Sequence, residues 1–167
     1  LLDGQLEPTN EWYAIAKITG MKLCDALRIQ HNFDAITLMP TNLYGPGDNY
    51  HPQNSHVLPA LIKKFSDAKK NNWKEVTCWG SGDPMREFLH VDDLGDACLY
   101  TLEKWKPGLT NSPKLNNGKY CSFLNIGTGQ DISIKNLANL IAEIIEYDGL
   151  IKWDISKPDG TLKKRLD

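Results

Sequence analysis

The stretch Glu11-Trp12-Tyr13-Ala14-Ile15-Ala16-Lys17-Ile18-Thr19-Gly20-Met21-Lys22-Leu23-Cys24-Asp25-Ala26-Leu27-Arg28-Ile29-Gln30 is followed shortly by Ala35-Ile36-Thr37-Leu38-Met39-Pro40, and together they decide the fold. The first run contains no proline, and Ala16, Gly20, Leu23, Cys24 and Leu27 recur at helical spacing. It therefore predicts one helix with a single apolar stripe, with Asn10 as its N-cap. Residues 35–39 are apolar and β-rich and are closed by a proline, which predicts a short buried strand. A helix handing over to a buried strand is the repeating step of α/β proteins with parallel pairing.

The rest of the chain keeps the alternation. Val57 to Lys70 predicts a helix with Leu58, Leu61, Ile62 and Phe65 on one side, and Pro59 is tolerated in its first turn. Val76–Trp79 and Glu87–Val91 predict short strands, the first ending in Gly80-Ser81-Gly82-Asp83-Pro84. Asp92 is expected to cap a helix reaching about Lys104, with Leu94, Ala97, Cys98 and Leu102 inward. Residues 105–120 read as a surface excursion and Phe123–Ile126 as a strand. Ser133 opens a helix with Ile134, Leu137, Leu140, Ile141, Ile144 and Ile145 on one face, stopped at Asp148-Gly149. Ile151–Trp153 is a last strand before a polar tail from Lys157. Thr41 to Ser55 is turn-rich, and a loop of that length in a compact domain is functional or disordered. The expected fold class is α/β: part of a doubly wound parallel sheet plus a smaller α/β lobe.

The 167 residues are 41% hydrophobic and 24% charged, too apolar for a disordered chain. Nineteen Lys+Arg against twenty-one Asp+Glu leave −2, so no global field favours nucleic acid or an anionic membrane. No apolar run is long enough for a membrane-spanning helix, and no secretory leader is visible. The four cysteines, Cys24, Cys78, Cys98 and Cys121, lie far apart, which argues against a zinc ribbon or a disulfide framework. No metal site is expected, and the expected compartment is cytoplasmic. The chain opens on Leu1-Leu2 without an initiator methionine, so it reads as the later part of a larger protein.

Tyr13 and Lys17 are the first candidates for chemistry. Four residues apart on a helix, they lie about 40° from each other around the axis, so both side chains reach one point. A free phenol has a pKa of about 10, and a neighbouring ammonium favours its anion, which makes Tyr-x-x-x-Lys a sensible proton-transfer unit. Taken alone the spacing is common on solvated surfaces. Histidine suits acid–base work near neutrality. His56 stands before a helix, whereas His31, His51 and His90 read as helix-end, loop and strand-end residues. Arg86 offers a planar fork of donors for phosphate, and Trp79 by itself reads as a core aromatic. Gly127-Thr128-Gly129-Gln130-Asp131-Ile132 lacks the last glycine of a dinucleotide fingerprint and is read as a tight strand-to-helix turn.

In order along the chain, Tyr13/Lys17, Pro40-Thr41-Asn42-Leu43-Tyr44-Gly45-Pro46, Arg86-Glu87-Phe88-Leu89-His90-Val91-Asp92-Asp93 and Asn125-Ile126-Gly127-Thr128-Gly129 resemble the extended short-chain dehydrogenase/reductases that act on nucleotide sugars. Asn54-Ser55-His56-Val57, Trp79-Gly80-Ser81-Gly82 and Lys157-Pro158-Asp159-Gly160-Thr161 narrow the resemblance to the branch that makes GDP-L-fucose. The resemblance implies an NADPH-dependent enzyme that epimerises GDP-4-keto-6-deoxy-D-mannose at two carbons and then reduces its ketone. It implies residues 1–50 in the NADP-binding Rossmann domain and 51–167 mainly in the substrate lobe, with about 86–104 returning to the first. Tyr13 matches the tyrosine that protonates the C4 oxygen, and Lys17 the lysine that supports it and bonds the nicotinamide ribose. Pro40, Thr41, Asn42 and Leu43 match the loop beside the nicotinamide. His56 matches a histidine that acts as the epimerisation acid and borders the cofactor. Val57, Lys64, Trp79, Arg86, Asp159 and Lys164 match substrate-binding positions, Lys64 standing where the family has arginine.

The family's glycine-rich loop, catalytic serine and epimerase cysteine lie upstream of its tyrosine, so this chain alone is expected neither to hold NADPH tightly nor to turn over. None of the four cysteines matches the catalytic one. A homodimer paired through the tyrosine helix is implied. Two other readings compete: a UDP-sugar 4-epimerase or dehydratase, and a nucleotide-sugar-binding module without catalysis. Substitution of His56 separates the first. Titration with GDP and with NADPH separates the second.

Overall fold

The computed structural model describes residues 4–52 and 54–166; Leu1-Leu2, on which the reading of the chain's start rests, lie outside them. After a short 3-10 turn the elements are α1 (Glu11–His31), β1 (Thr37–Pro40), β2 (Asn42–Tyr44), α2 (Val57–Lys70), β3 (Glu75–Trp79), β4 (Met85–His90) and α3 (Val91–Lys104). They continue with β5 (Phe123–Ile126), β6 (Asp131–Ser133), α4 (Ile134–Ile145), β7 (Leu150–Asp154) and β8 (Lys163–Lys164). The chain forms two compact units: residues up to Met39 with Ala97–Asn125, and Pro40–Asp96 with Ile126 onward.

In the first unit β1 pairs with β5. α1 ends where Asn32 turns left-handed at φ 51 and its N–H bonds Leu27 O. Arg28 then fastens the turn, donating from Nε and Nη2 to Ala35 O at 3.1 and 2.6 Å and meeting Asp34 at 2.8 Å. Asp25 accepts from the Ser122 hydroxyl. Asn10 holds the N-cap position of α1, but its side chain makes no cap bond. The inward face of α1 also differs from the expected stripe. Met21 is buried and Ala14, Ile18, Asp25 and Arg28 are half-buried, as are the expected Cys24 and Leu27, whereas Ala16, Gly20 and Leu23 are exposed. Polar Asp25 and Arg28 turn inward because both find partners there. In α3, Leu102 is 76% exposed and Thr101 is buried instead, its hydroxyl donating to Ala97 O at 2.6 Å.

The second unit contains the larger core. Leu58, Leu61, Phe65 and Ala68 of α2 meet Leu137, Ala138, Ile141 and Ala142 of α4 over Val76 and Cys78 of β3. β3 runs parallel to β7, from Glu75 opposite Leu150 to Trp79 opposite Asp154. The helix expected from Ser133 is capped by that residue, whose hydroxyl accepts from Asn136 N at 3.1 Å. Leu140 and Ile144 nevertheless stand exposed, because the buried stripe of α4 is narrower than its apolar one.

The other sheet of this unit centres on β4, which pairs parallel with β2 and β8 and antiparallel with β6. Three of these strands depart from the expected reading. β2 lies in the predicted loop, β6 in the predicted turn and β8 in the predicted polar tail. Each is too short to carry a two-residue alternation and is held by β4 rather than by its own pattern. The antiparallel β6 makes the sheet mixed rather than wholly parallel.

Candidate active site

Tyr13 and Lys17 sit on α1 in the first unit. Lys17 Nζ lies 5.2 Å from the centre of the Tyr13 ring, so the two groups share one helical face. Both are exposed, Tyr13 to 60%. A phenol and an ammonium this close can deliver and hold a proton at one point outside the helix.

The remaining candidates lie at Pro40 or later, in the second unit. Thr41 is buried and its hydroxyl donates to Glu87 O at 3.0 Å; Asn42 Nδ2 donates to the same oxygen at 2.7 Å. Leu43 pairs with Leu89. The segment after Pro40 is thus fixed to the β4 backbone. His56 is the N-cap of α2, its carbonyl accepting from Ala60 N at 3.0 Å, while its exposed imidazole makes no cap bond. Val57 opens that helix, and Lys64 follows two turns later on the same face. Lys64 Nζ donates to Thr77 O at 2.8 Å, so its ammonium is already engaged on β3.

Trp79 is 67% exposed at the end of β3, with Lys157 Nζ 5.6 Å from its ring, and is not the core aromatic that its residue type alone suggests. The Asp159 carboxylate accepts Ser81 N–H at 2.7 Å and Ser81 O–H at 2.8 Å, which holds the tail against the Gly80 turn. Gly80 has φ +79, and a Cβ there would lie 2.2 Å from Asp159 Oδ1. Arg86 is half-buried, its Nη1 donating to Met85 O at 2.8 Å. Lys164 is exposed and lies opposite Arg86 in the parallel β4–β8 register, so both side chains leave the same face of the sheet.

Glu87 is the residue that reading the sequence missed. It is fully buried, yet its carboxylate accepts from Gly129 N at 2.7 Å, Thr128 Oγ1 at 3.3 Å and Leu166 N at 2.9 Å. Burial pushes its carboxyl up. The N–H groups of Leu166, Gly129 and Thr128 and the Thr128 hydroxyl outweigh that and hold it below the ordinary glutamate range. Its stabilising contribution is therefore complete above the ordinary glutamate pKa and is lost as pH falls through the lower folded value. A signal existed: Glu87 stands two residues from Leu89, on the same buried side of β4, where a bare carboxylate needs donors. The same contacts explain the Gly127-Thr128-Gly129 turn. Gly129 N–H is spent on Glu87, and a Cβ on Gly127 would come within 2.3 Å of Glu87 Oε1.

The four cysteines are unpaired, and burial pushes the Cys78 thiol up. Among the described residues no cluster of three His, Cys, Asp or Glu could hold a metal, and no helix is long and apolar enough to cross a membrane.

Residues 1–114 match the NAD dependent epimerase/dehydratase family. The chain belongs to this family. Its likeness to other members of the NAD dependent epimerase/dehydratase family runs over its full length. It is 54% identical over 167 residues to GDP-L-fucose synthase 1 of Arabidopsis thaliana, covering 100% of this chain and 48% of that protein. A GDP-6-OMe-4-keto-L-xylo-heptose reductase from C. jejuni superposes with a TM-score of 0.84 at 33% identity, over 100% of this chain and 56% of that one. A GDP-L-fucose synthetase from Naegleria fowleri bound to NADP gives 0.81 at 27% identity, over 100% and 50%. The chain spans about half the length of the curated relatives it matches. Its α/β fold with parallel strand pairs is that of Rossmann-type epimerase/reductase structures.

Proposed function

We propose that this chain forms part of an NADPH-dependent epimerase-reductase that converts GDP-4-keto-6-deoxy-D-mannose into GDP-L-fucose. The observation that carries the reading is the whole-length likeness to GDP-L-fucose synthase 1. The Tyr13–Lys17 geometry supports it, since an exposed phenol with an ammonium 5.2 Å from its ring centre fits the ribose-nicotinamide end of a dinucleotide. The bound cofactor would supply hydride to the C4 carbonyl carbon.

In this reading Tyr13 gives its phenolic proton to the C4 oxygen as that bond forms, and Lys17 steadies the resulting phenolate. Pro40, Thr41, Asn42 and Leu43 are the cofactor-contacting positions of the second unit, the last three fixed to β4. The two carbons beside the ketone are acidic because the carbonyl stabilises the carbanion formed on them. The family's epimerase cysteine, upstream of its tyrosine, takes the proton from each carbon on one face, and His56 returns a proton to the other face. Val57, Trp79, Arg86, Lys164, Lys64 and Asp159 hold the GDP-sugar, with Arg86 gripping the diphosphate. Lys64 Nζ also bonds Thr77 O and the Asp159 carboxylate also bonds Ser81, which fixes both side chains where they stand.

His56→Asn in the full-length gene product tests the reading. Epimerisation, followed as solvent deuterium entering the sugar, should slow by about 10²-fold or more. An unchanged exchange rate would favour a plain 4-epimerase.

The protein pairs as a cytoplasmic homodimer through α1, where Trp12, Leu23 and Ile29 stand exposed in the first unit. Sedimentation equilibrium of the full-length product should return twice its mass. A monomer at micromolar concentration would remove the dimer from the account.

A further inference from the structure

Glu87 ties three segments of the second unit to one strand. Its carbonyl holds Thr41 and Asn42, its Oε1 holds Gly129 and Thr128, and its Oε2 holds Leu166 N at 2.9 Å. The last of these bonds lies two residues beyond Lys164. Between Leu162 and Leu166 the tail is also fastened by β8, with Met85 N donating to Leu162 O at 2.9 Å, and by the Lys163 Nζ–Asp131 ion pair at 3.4 Å. A two-residue strand at a sheet edge frays easily, so a charge-assisted bond just beyond it sets whether the strand stays down. The buried carboxylate also cannot release Leu166 without leaving an acceptor short of a donor.

We propose that Glu87 is a positioning residue for substrate: by anchoring Leu166 it keeps Lys164 opposite Arg86, and these two cations together form the cradle for a nucleoside diphosphate. The inference rests on the reading of the substrate as a GDP-sugar. Glu87 touches no ligand in this scheme and acts through Lys164. A residue that merely supported the fold would weaken binding independently of Lys164, whereas an anchor acts through it.

The experiment is a calorimetric titration of the full-length protein with GDP, in four forms: wild type, Glu87→Gln, Lys164→Ala and the double variant. Each single substitution is expected to weaken GDP by about tenfold, and the double variant by the same tenfold rather than a hundredfold. Multiplying losses, or wild-type affinity in Glu87→Gln, would overturn the proposal. Leu166→Pro removes the donor and leaves Glu87 in place; it should match Glu87→Gln and serves if that variant does not fold. Amide exchange at residues 163–166 separates the anchoring of the tail from the binding of GDP. If the wild type ignores GDP, the substrate reading and the cradle fail together. Faster exchange in Glu87→Gln then still supports the anchor, and unchanged exchange refutes it.

Discussion

Tyr13→Phe in the full-length gene product is expected to lower kcat for ketone reduction by about 10²–10⁴-fold, with little change in KM for the GDP-sugar. The substitution removes one oxygen from a ring that is 60% exposed and supports no core, so folding is expected to be unaffected. What disappears is the proton delivered to the C4 oxygen while hydride arrives at carbon. Without it the alkoxide must form unprotonated, and the neighbouring ammonium can offset only part of that charge. Lys17 stands 5.2 Å from the ring centre and does not replace the hydroxyl that the substitution removes. Epimerisation needs a different proton and should survive in this variant. Single-turnover NADPH oxidation measures the first step and solvent deuterium uptake the second. Equal loss of both would mean that Tyr13 supports the site as a whole and does not act as the reducing acid.

Phe65→Ala is expected to cost about 3–5 kcal/mol, the range for emptying a phenylalanine site in a packed core. Phe65 is 0% exposed on α2, and its ring centre lies 5.6 Å from that of Tyr147. The cavity would open between α2, α4 and β3, and the pairing of β3 with β7 limits how far that wall can close in. Leu102→Ala, at a position that is exposed on α3, should stay within about 0.5 kcal/mol. Denaturant titration of the full-length protein gives both numbers. Similar values for the two variants would show that the core does not centre on Phe65.

The elements that could be read from the sequence are those with a repeating pattern. α2 falls on the expected Val57–Lys70, and the Ser133 cap of α4 is where the hydroxyl and the following apolar run predicted it. The Tyr13–Lys17 contact was legible for the same reason, because a helix converts a spacing of four into proximity. β2, β6 and β8 were not legible. Their pairing partner, β4, supplies the order, and nothing within two or three residues reveals a partner far along the chain. The same limit applies at the candidate site. Asp159 and Lys64 are ordinary charged residues until Ser81 and Thr77 O are brought to them. Glu87 looks like part of a charged Arg-Glu pair until burial separates its role from that of Arg86. The exposed Trp79 shows the reverse error, since a bulky aromatic at a strand end need not be core.

The most direct test of the account is to incubate the full-length gene product with GDP-4-keto-6-deoxy-D-mannose and NADPH and to identify the sugar nucleotide formed. The product expected is GDP-L-fucose, with one NADPH oxidised per sugar reduced. Epimerisation of a UDP-sugar with no net cofactor oxidation, or an unchanged GDP-keto sugar, would contradict it.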